Sequence, residues 1–238
     1  MKIAFCFSGL ASGFGKGKQH AIDSIAHSNT YKKYLFGNHD VDIFMHSWST
    51  EMEDKLVEIY SPKDRIFEKQ IIFHDDHKIC DGNFLKKQNY NLKAKKETKV
   101  KPVQHILRSQ MYSRKKSLEL MEAYSKKYNV DYDFIVNIRY DMVFARAIDF
   151  NNLRKDCIYY SGWEREGRIY DLFFIFREKY VEKIKELYDY SKNNLVYNTH
   201  ALYDIVFKRT KLKPIGMVAR DFALVRPGDP YHVIGRNK

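Results

Sequence analysis

Apolar residues crowd the opening stretch MKIAFCFSG, with Ile3, Phe5 and Phe7 on one face of an extended chain and Ala4 and Cys6 on the other. Both faces are apolar, the pattern of a strand covered by helices on two sides. DVDIFMHSWS (40–49) repeats it, and DRIFEKQIIFHD (64–75) reads as a third strand region. Between them, TEMEDKLVEIYSP carries Met52, Leu56 and Ile59 at helical spacing and stops at Pro62. A long amphipathic helix is predicted over VQHILRSQMYSRKKSLELMEAYSKKY, with Val103, Leu107, Met111, Leu118, Met121 and Tyr124 on its buried side. Strands follow at 133–144, 157–162 and 169–176, then helices over 178–192 and 199–209. This alternation predicts an α/β sandwich with a mainly parallel central sheet.

The 238 residues suit a single domain. Within it, segment 81–102, DGNFLKKQNYNLKAKKETKVKP, is rich in lysine and poor in aliphatics, which predicts a loop or lid. No apolar run approaches the ~20 residues of a membrane span. The run IAFCF breaks at Ser8-Gly9, below the roughly 7–15 residues of an export signal, so a buried strand and a cytoplasmic location are expected. Cys6, Cys80 and Cys157 form no C-x-x-C pair, which fits a reducing compartment. Lys and Arg number 42 against 30 Asp and Glu, a formal charge of +12. That excess favours an anionic partner: a phosphorylated small molecule, an anionic bilayer or nucleic acid. Nucleic acid is not the expected partner, because the aromatic residues fall inside predicted core elements and no nucleic-acid signature appears. A basic nucleic-acid-binding protein remains the rival reading from another class.

Three stretches carry candidate chemistry. SGLASGFGKGK (8–18) follows a strand with glycines and lysines, a common way to present N–H groups to phosphate. It is neither of two familiar motifs. Gly15-Lys16 is followed by Gly17 rather than the hydroxyl of a Walker loop, and Lys18 stands where a Rossmann fingerprint needs its third glycine. YDFIVNIRYDMVF sets Arg139 and Asp141 on one face at the end of an apolar strand. Such charges need each other or a ligand. A structural ion pair and a site at the carboxyl end of a central strand are both open. Asp171, in RIYDLFFIF, is a carboxylate among apolar neighbours, for which a raised pKa and a general-base role are expected. Glu164 is the alternative base, and Trp163 beside it suits stacking on a sugar. The cluster HDDH (74–77) has no second ligand group at metal spacing and reads as the start of a loop.

The order of these stretches resembles a known family. A first strand ending SGL, then DVDIFMHSWS, SQMYSRKKSLELMEAY, YDFIVNIRYDMVF and YDLFFIF are similar to the small bacterial and viral glycosyltransferases of the GT-A fold that build surface polysaccharides. The resemblance covers most of Met1 to Lys192 and implies a GT-A-like (Rossmann-like) three-layer sandwich. It implies transfer from a nucleotide-sugar donor to a glycan or lipid-linked glycan acceptor of a capsule or lipopolysaccharide. By the same resemblance Ser8, Gly9, Gly13 and Gly15 face the nucleotide, with Lys16 or Lys18 over its phosphates. An Asp-x-Asp at the second site holds manganese or magnesium in the family; here only Asp141 matches, with His200 or His232 as the closing ligand. A divalent cation is thus the expected cofactor, with Arg139 contacting phosphate or orienting Asp141 as the alternative. Lysines within 86–101 suit peripheral contact with an anionic inner membrane. A nucleotidyl- or phosphotransferase of the same pathway keeps the nucleotide and changes the reaction.

Overall fold

The doubly apolar opening stretch becomes strand β1 (Lys2–Gly9), placed inside a seven-stranded sheet as its pattern requires. The structure, a computed structural model, describes residues 1–14, 21–25, 28–73, 104–162, 169–196, 199–209, 214–218 and 222–224. A short hairpin, β2 (Ser12–Phe14) and β3 (Ala21–Asp23), leads to α1 (Ser28–Tyr31), which runs into a π-helical turn, Lys32–Phe36. Then come β4 (Asp40–Ser47), α2 (Glu53–Tyr60), β5 (Asp64–Phe67) and the long helix α3 (Gln104–Tyr128). The second half holds β6 (Phe134–Arg139), β7 (Met142–Phe144), β8 (Tyr159–Gly162), β9 (Ile169–Phe176), α4 (Val181–Asn193), α5 (Thr199–Arg209), β10 (Ile215–Val218) and β11 (Phe222–Leu224).

The large sheet has the order β10-β8-β9-β6-β1-β4-β5. β1 runs parallel to β4 and β6, β4 to β5, and β8 to β10, while β9 opposes both its neighbours. Helices cover both faces. Ile3, Phe5 and Phe7 pack with Tyr31, Leu35, Leu56 and Tyr60. Ala4, Cys6 and Phe44 pack with Leu107, Met111, Leu118 and Met121 of α3 and with Ile184 and Leu187 of α4. The α/β sandwich with a mainly parallel sheet is therefore observed, with the expected split of β1 side chains between two apolar layers.

Several boundaries differ from the sequence reading. The third strand ends at Phe67, because β5 is an edge strand and pairs only with β4 over Asp64–Phe67. The stretch 133–144 is two strands: the chain turns after Arg139, and β7 leaves the main sheet to pair antiparallel with β11. The helix expected from 178 opens with a tight 3-10 turn at Glu178–Tyr180 before α4 begins. The turn SNTYKKYLF went unread, although Tyr31 and Leu35 stand four apart and are both buried. The lysine-rich segment 81–102 and the HDDH cluster lie outside the described residues. No helix among the described residues is long and apolar enough to cross a membrane.

Candidate active site

Because β9 opposes β6, the start of β9 lies at the carboxyl end of β6, and a bulge shapes that meeting point. On β8, Tyr160 pairs with Phe174 but Ser161 pairs with Tyr170, so Asp171, Leu172 and Phe173 bow out of that ladder. Ser161 Oγ closes the gap, accepting from Leu172 N–H at 3.2 Å and donating to the Tyr170 carbonyl at 3.1 Å. Arg139 ends β6, next to Ser8 of β1 in the ladder. Two residues later the turn brings Asp141 back, and Arg139 grips it bidentately, Nε to Oδ1 at 2.8 Å and Nη2 to Oδ2 at 2.5 Å. The remaining corner, Nη1, lies 3.6 Å from the Asp171 carboxylate. Tyr31 holds the turn from the opposite layer: its hydroxyl donates to the Arg139 carbonyl at 2.9 Å and accepts from Met142 N–H at 3.0 Å.

A second guanidinium lies beneath. Arg114 of α3 is 1% exposed; it donates to Asn137 Oδ1 and to the Asp171 backbone carbonyl, and it lies over the Phe174 ring. Gln110, one turn earlier, donates its amide N–H to the Asp171 carboxylate. Two cations and two carboxylates thus share one buried cluster with balanced charge. Burial pushes the Asp171 carboxyl up, but the Arg139 and Arg114 guanidiniums, the Gln110 amide and His200 together pull it below its ordinary value. This corrects the expected raised pKa: the apolar flanks of Asp171 in the chain gave no hint of the two arginines around it.

A second network joins the ends of β1, β4 and β5. Ser113 of α3 accepts from Gly9 N–H at 2.7 Å and meets His46 Nδ1 at 2.7 Å, while His46 Nε2 meets Glu68 at 2.9 Å. Directions follow if Nε2–H donates to the carboxylate and Nδ1 accepts from the serine hydroxyl. Desolvation holds this imidazole below its ordinary pKa despite Glu68 beside it, so it is neutral. Trp48 and Tyr112 stack on each other and both meet the imidazole edge-on. Stability is expected to fall in two stages on acidification. The unfolded chain protonates His46 near 6.5 while the folded one resists, so stability present above 6.5 is lost as pH falls toward the depressed folded value. Asp171 sits below 3.8, so its share survives to lower pH and goes as pH falls through that depressed value. Urea midpoints from about pH 8 to about 3 check this, and His46→Gln should flatten the first stage alone.

The nominated residues divide as follows. Arg139, Asp141 and Asp171 are brought together. His200, on the first turn of α5, stands edge-on to Tyr170 with Nδ1 donating to the Ile169 carbonyl at 2.6 Å. The Ser8 hydroxyl is buried and turned to the Ile138 carbonyl. Gly9 N–H is taken by Ser113, and Ala11 and Ser12 N–H both donate to Ser49 Oγ at 3.1 Å. Of the stretch expected to present N–H groups to phosphate, the amides of Gly9, Ala11 and Ser12 are thus already engaged. Gly9 has φ +108°, a left-handed backbone that favours glycine, and no protein atom lies within 4 Å of where a Cβ would stand. Gly13 belongs to β2 and pairs with Ile22. Gly15, Lys16, Lys18, Trp163, Glu164 and His232 lie outside the described residues.

A divalent ion fits this donor set poorly. Both Asp141 oxygens are engaged by Arg139, and no group of three His, Cys, Asp or Glu stands together among the described residues. A dication about 4 Å from a guanidinium is repelled by about 8 kcal/mol at an effective dielectric of 20. The residues sequence reading missed are Gln110, Ser113, Arg114 and Asn137. Arg114 had a signal, since it stands three after Met111 and four before Leu118, on the apolar stripe of α3.

No protein-family profile matches the sequence, and no curated protein matches it. Among solved structures the chain is similar to a glycosyltransferase involved in the glycosylation of the major capsid of PBCV-1. Identity is 10% over 92% of this chain and 82% of that one, with a TM-score of 0.39, and a likeness so loose carries no argument. Fold and site together define an α/β protein with a charged cluster at the carboxyl edge of its sheet.

Proposed function

We propose that the protein is a glycosyltransferase that moves a sugar from a nucleoside diphosphate sugar to a hydroxyl of a glycan or lipid-linked glycan acceptor. The observation that carries this reading is the gathering of Arg139, Asp141 and Asp171 where β1 and β6 end and β9 begins, the edge at which open α/β sheets take ligands. Arg139 supplies N–H donors for phosphate oxygens, and Asp141 fixes the plane of its guanidinium. Asp171 accepts the hydrogen bond of the acceptor hydroxyl. Its depressed pKa keeps it ionised at neutral pH, so orienting the nucleophile is its larger service and taking the proton the smaller. A growing surface polysaccharide is the acceptor class we favour, and the lysines within 86–101 suit one presented at an anionic bilayer.

The test is thermal unfolding with UDP-, GDP-, dTDP- and CMP-sugars, because a ligand bound to the folded state raises its midpoint by mass action. At least one nucleoside diphosphate sugar should stabilise the protein, and incubation with glycan acceptors should release the free nucleoside diphosphate. An intact sugar-1-phosphate bond in the product would favour nucleotidyl or phosphoryl transfer instead. No stabilisation by any of the four sets would sink the reading.

A further inference from the structure

Arg139 has the most exposed side chain of the three charged residues at this edge. The Arg139 side chain is 27% exposed, against 8% for Asp141 and 13% for Asp171. A cation site presents carboxylate oxygens to its ion. This cluster does the reverse: both Asp141 oxygens are taken up by Arg139, and the arginine is the more exposed side chain of the pair. Nε and Nη2 are fixed on Asp141, so the guanidinium plane is set, and Nη1 meets only the long contact to Asp171 among the described residues. The backbone under it is pinned by the Tyr31 hydroxyl on both sides of the turn. The donor is therefore built before any ligand arrives.

Resting on the nucleotide-sugar reading above, the geometry points to Arg139 as the group that takes the diphosphate directly, with no divalent ion between protein and phosphate. A planar guanidinium with two corners tethered and the third held, among the described residues, only by the 3.6 Å contact to Asp171 offers its N–H groups to an oxyanion at a fixed angle, which an ammonium on a flexible stem does not. Arg114 supplies a second, buried positive charge whose N–H groups are spent on Asn137 and the Asp171 carbonyl. It contributes field and no contact. Asp141 keeps the guanidinium aimed, in the place where a metal-binding carboxylate would hold an ion.

Calorimetric titration of the full-length protein with UDP, GDP, dTDP and inorganic pyrophosphate, in EDTA and again in excess Mn2+, tests this. At least one of the nucleotides should bind equally in both buffers. Arg139→Gln should weaken it about 10- to 100-fold, the worth of one or two charge-assisted hydrogen bonds. Arg139→Lys should recover only part of that. Arg139→Asp creates an Asp-x-Asp and leaves its carboxylates and that of Asp171 with Arg114 as counter-charge among the described residues, a net negative cluster, so Mn2+ should raise the unfolding midpoint of this variant and leave that of the wild type unmoved. Binding seen only with Mn2+, or a midpoint of the wild type that rises with Mn2+ alone, overturns the inference and leaves the nucleotide-sugar reading standing. No binding of any nucleotide in either buffer overturns both.

Discussion

Replacing Arg114 by methionine is expected to cost about 3–5 kcal/mol of folding stability, the usual result of removing one partner from a buried charge cluster. Two effects compete. Losing the guanidinium relieves its desolvation, since the side chain is 1% exposed. Against that, the Asn137 amide oxygen and the Asp171 carbonyl lose their donor, at about 1–3 kcal/mol for each buried group left unpaired. The cluster also passes from balanced charge to a net negative one, with Asp141 and Asp171 facing Arg139 alone. Methionine fills much of the volume, so packing against Phe174 changes least.

The second group of terms wins because it acts on two buried acceptors and on the charge balance of the cluster at once. A domain of this kind has about 5–15 kcal/mol in total, so the loss is a large share of the whole. Urea unfolding at neutral pH measures it. Arg114→Lys keeps the charge and loses the fork, and should fall between wild type and Arg114→Met. A cost below about 1 kcal/mol for the methionine variant would mean that the cluster does not depend on this guanidinium. The same substitution should raise the pKa of Asp171, since the Arg114 charge is one of the forces holding it down.

How much of this was legible in the chain depends on which forces the residues obey locally. β1 was readable because both faces of MKIAFCFSG are apolar, a local fact about alternate positions. β9 and α5 were read at their observed limits for the same reason, each being bounded by clear changes of pattern. That β9 runs against β6 was not readable, since strand direction is set by how the chain returns and not by its own residues. Yet this reversal is what brings Asp171 to Arg139. The turn at Tyr140 was hidden too, because YDFIVNIRYDMVF keeps an apolar alternation through the point where β7 leaves the sheet, and the hydroxyl that fixes the turn comes from Tyr31, more than a hundred positions away. Glycines after β1 suggested amides open to phosphate. The amides of Gly9, Ala11 and Ser12 are instead taken by Ser113 of α3 and by Ser49 beyond β4, which no local pattern links to that stretch.

Asp171→Asn is expected to lower the rate of sugar transfer at least about 10²-fold, the lower end for loss of a positioned general base, while donor affinity holds or improves. The substitution keeps the volume and removes one negative charge. Arg139 and Arg114 are then balanced by Asp141 alone, so the cluster gains net positive charge and should hold a diphosphate at least as well. The acceptor hydroxyl loses its carboxylate and with it both its orientation and its proton acceptor. Steady-state kinetics should therefore show a fall in kcat with donor KM unchanged or lower. The pH profile of the wild type adds an independent check. A base is competent when deprotonated, and the neighbouring guanidiniums hold this one below 3.8, so the rate should lose no activity to its protonation until the medium is more acidic than ordinary carboxylate titration. An acid limb near neutrality would mean that another group, of higher pKa, accepts the proton. Loss of donor binding in Asp171→Asn with kcat preserved would place this carboxylate against the nucleotide and leave the acceptor without the partner assigned to it.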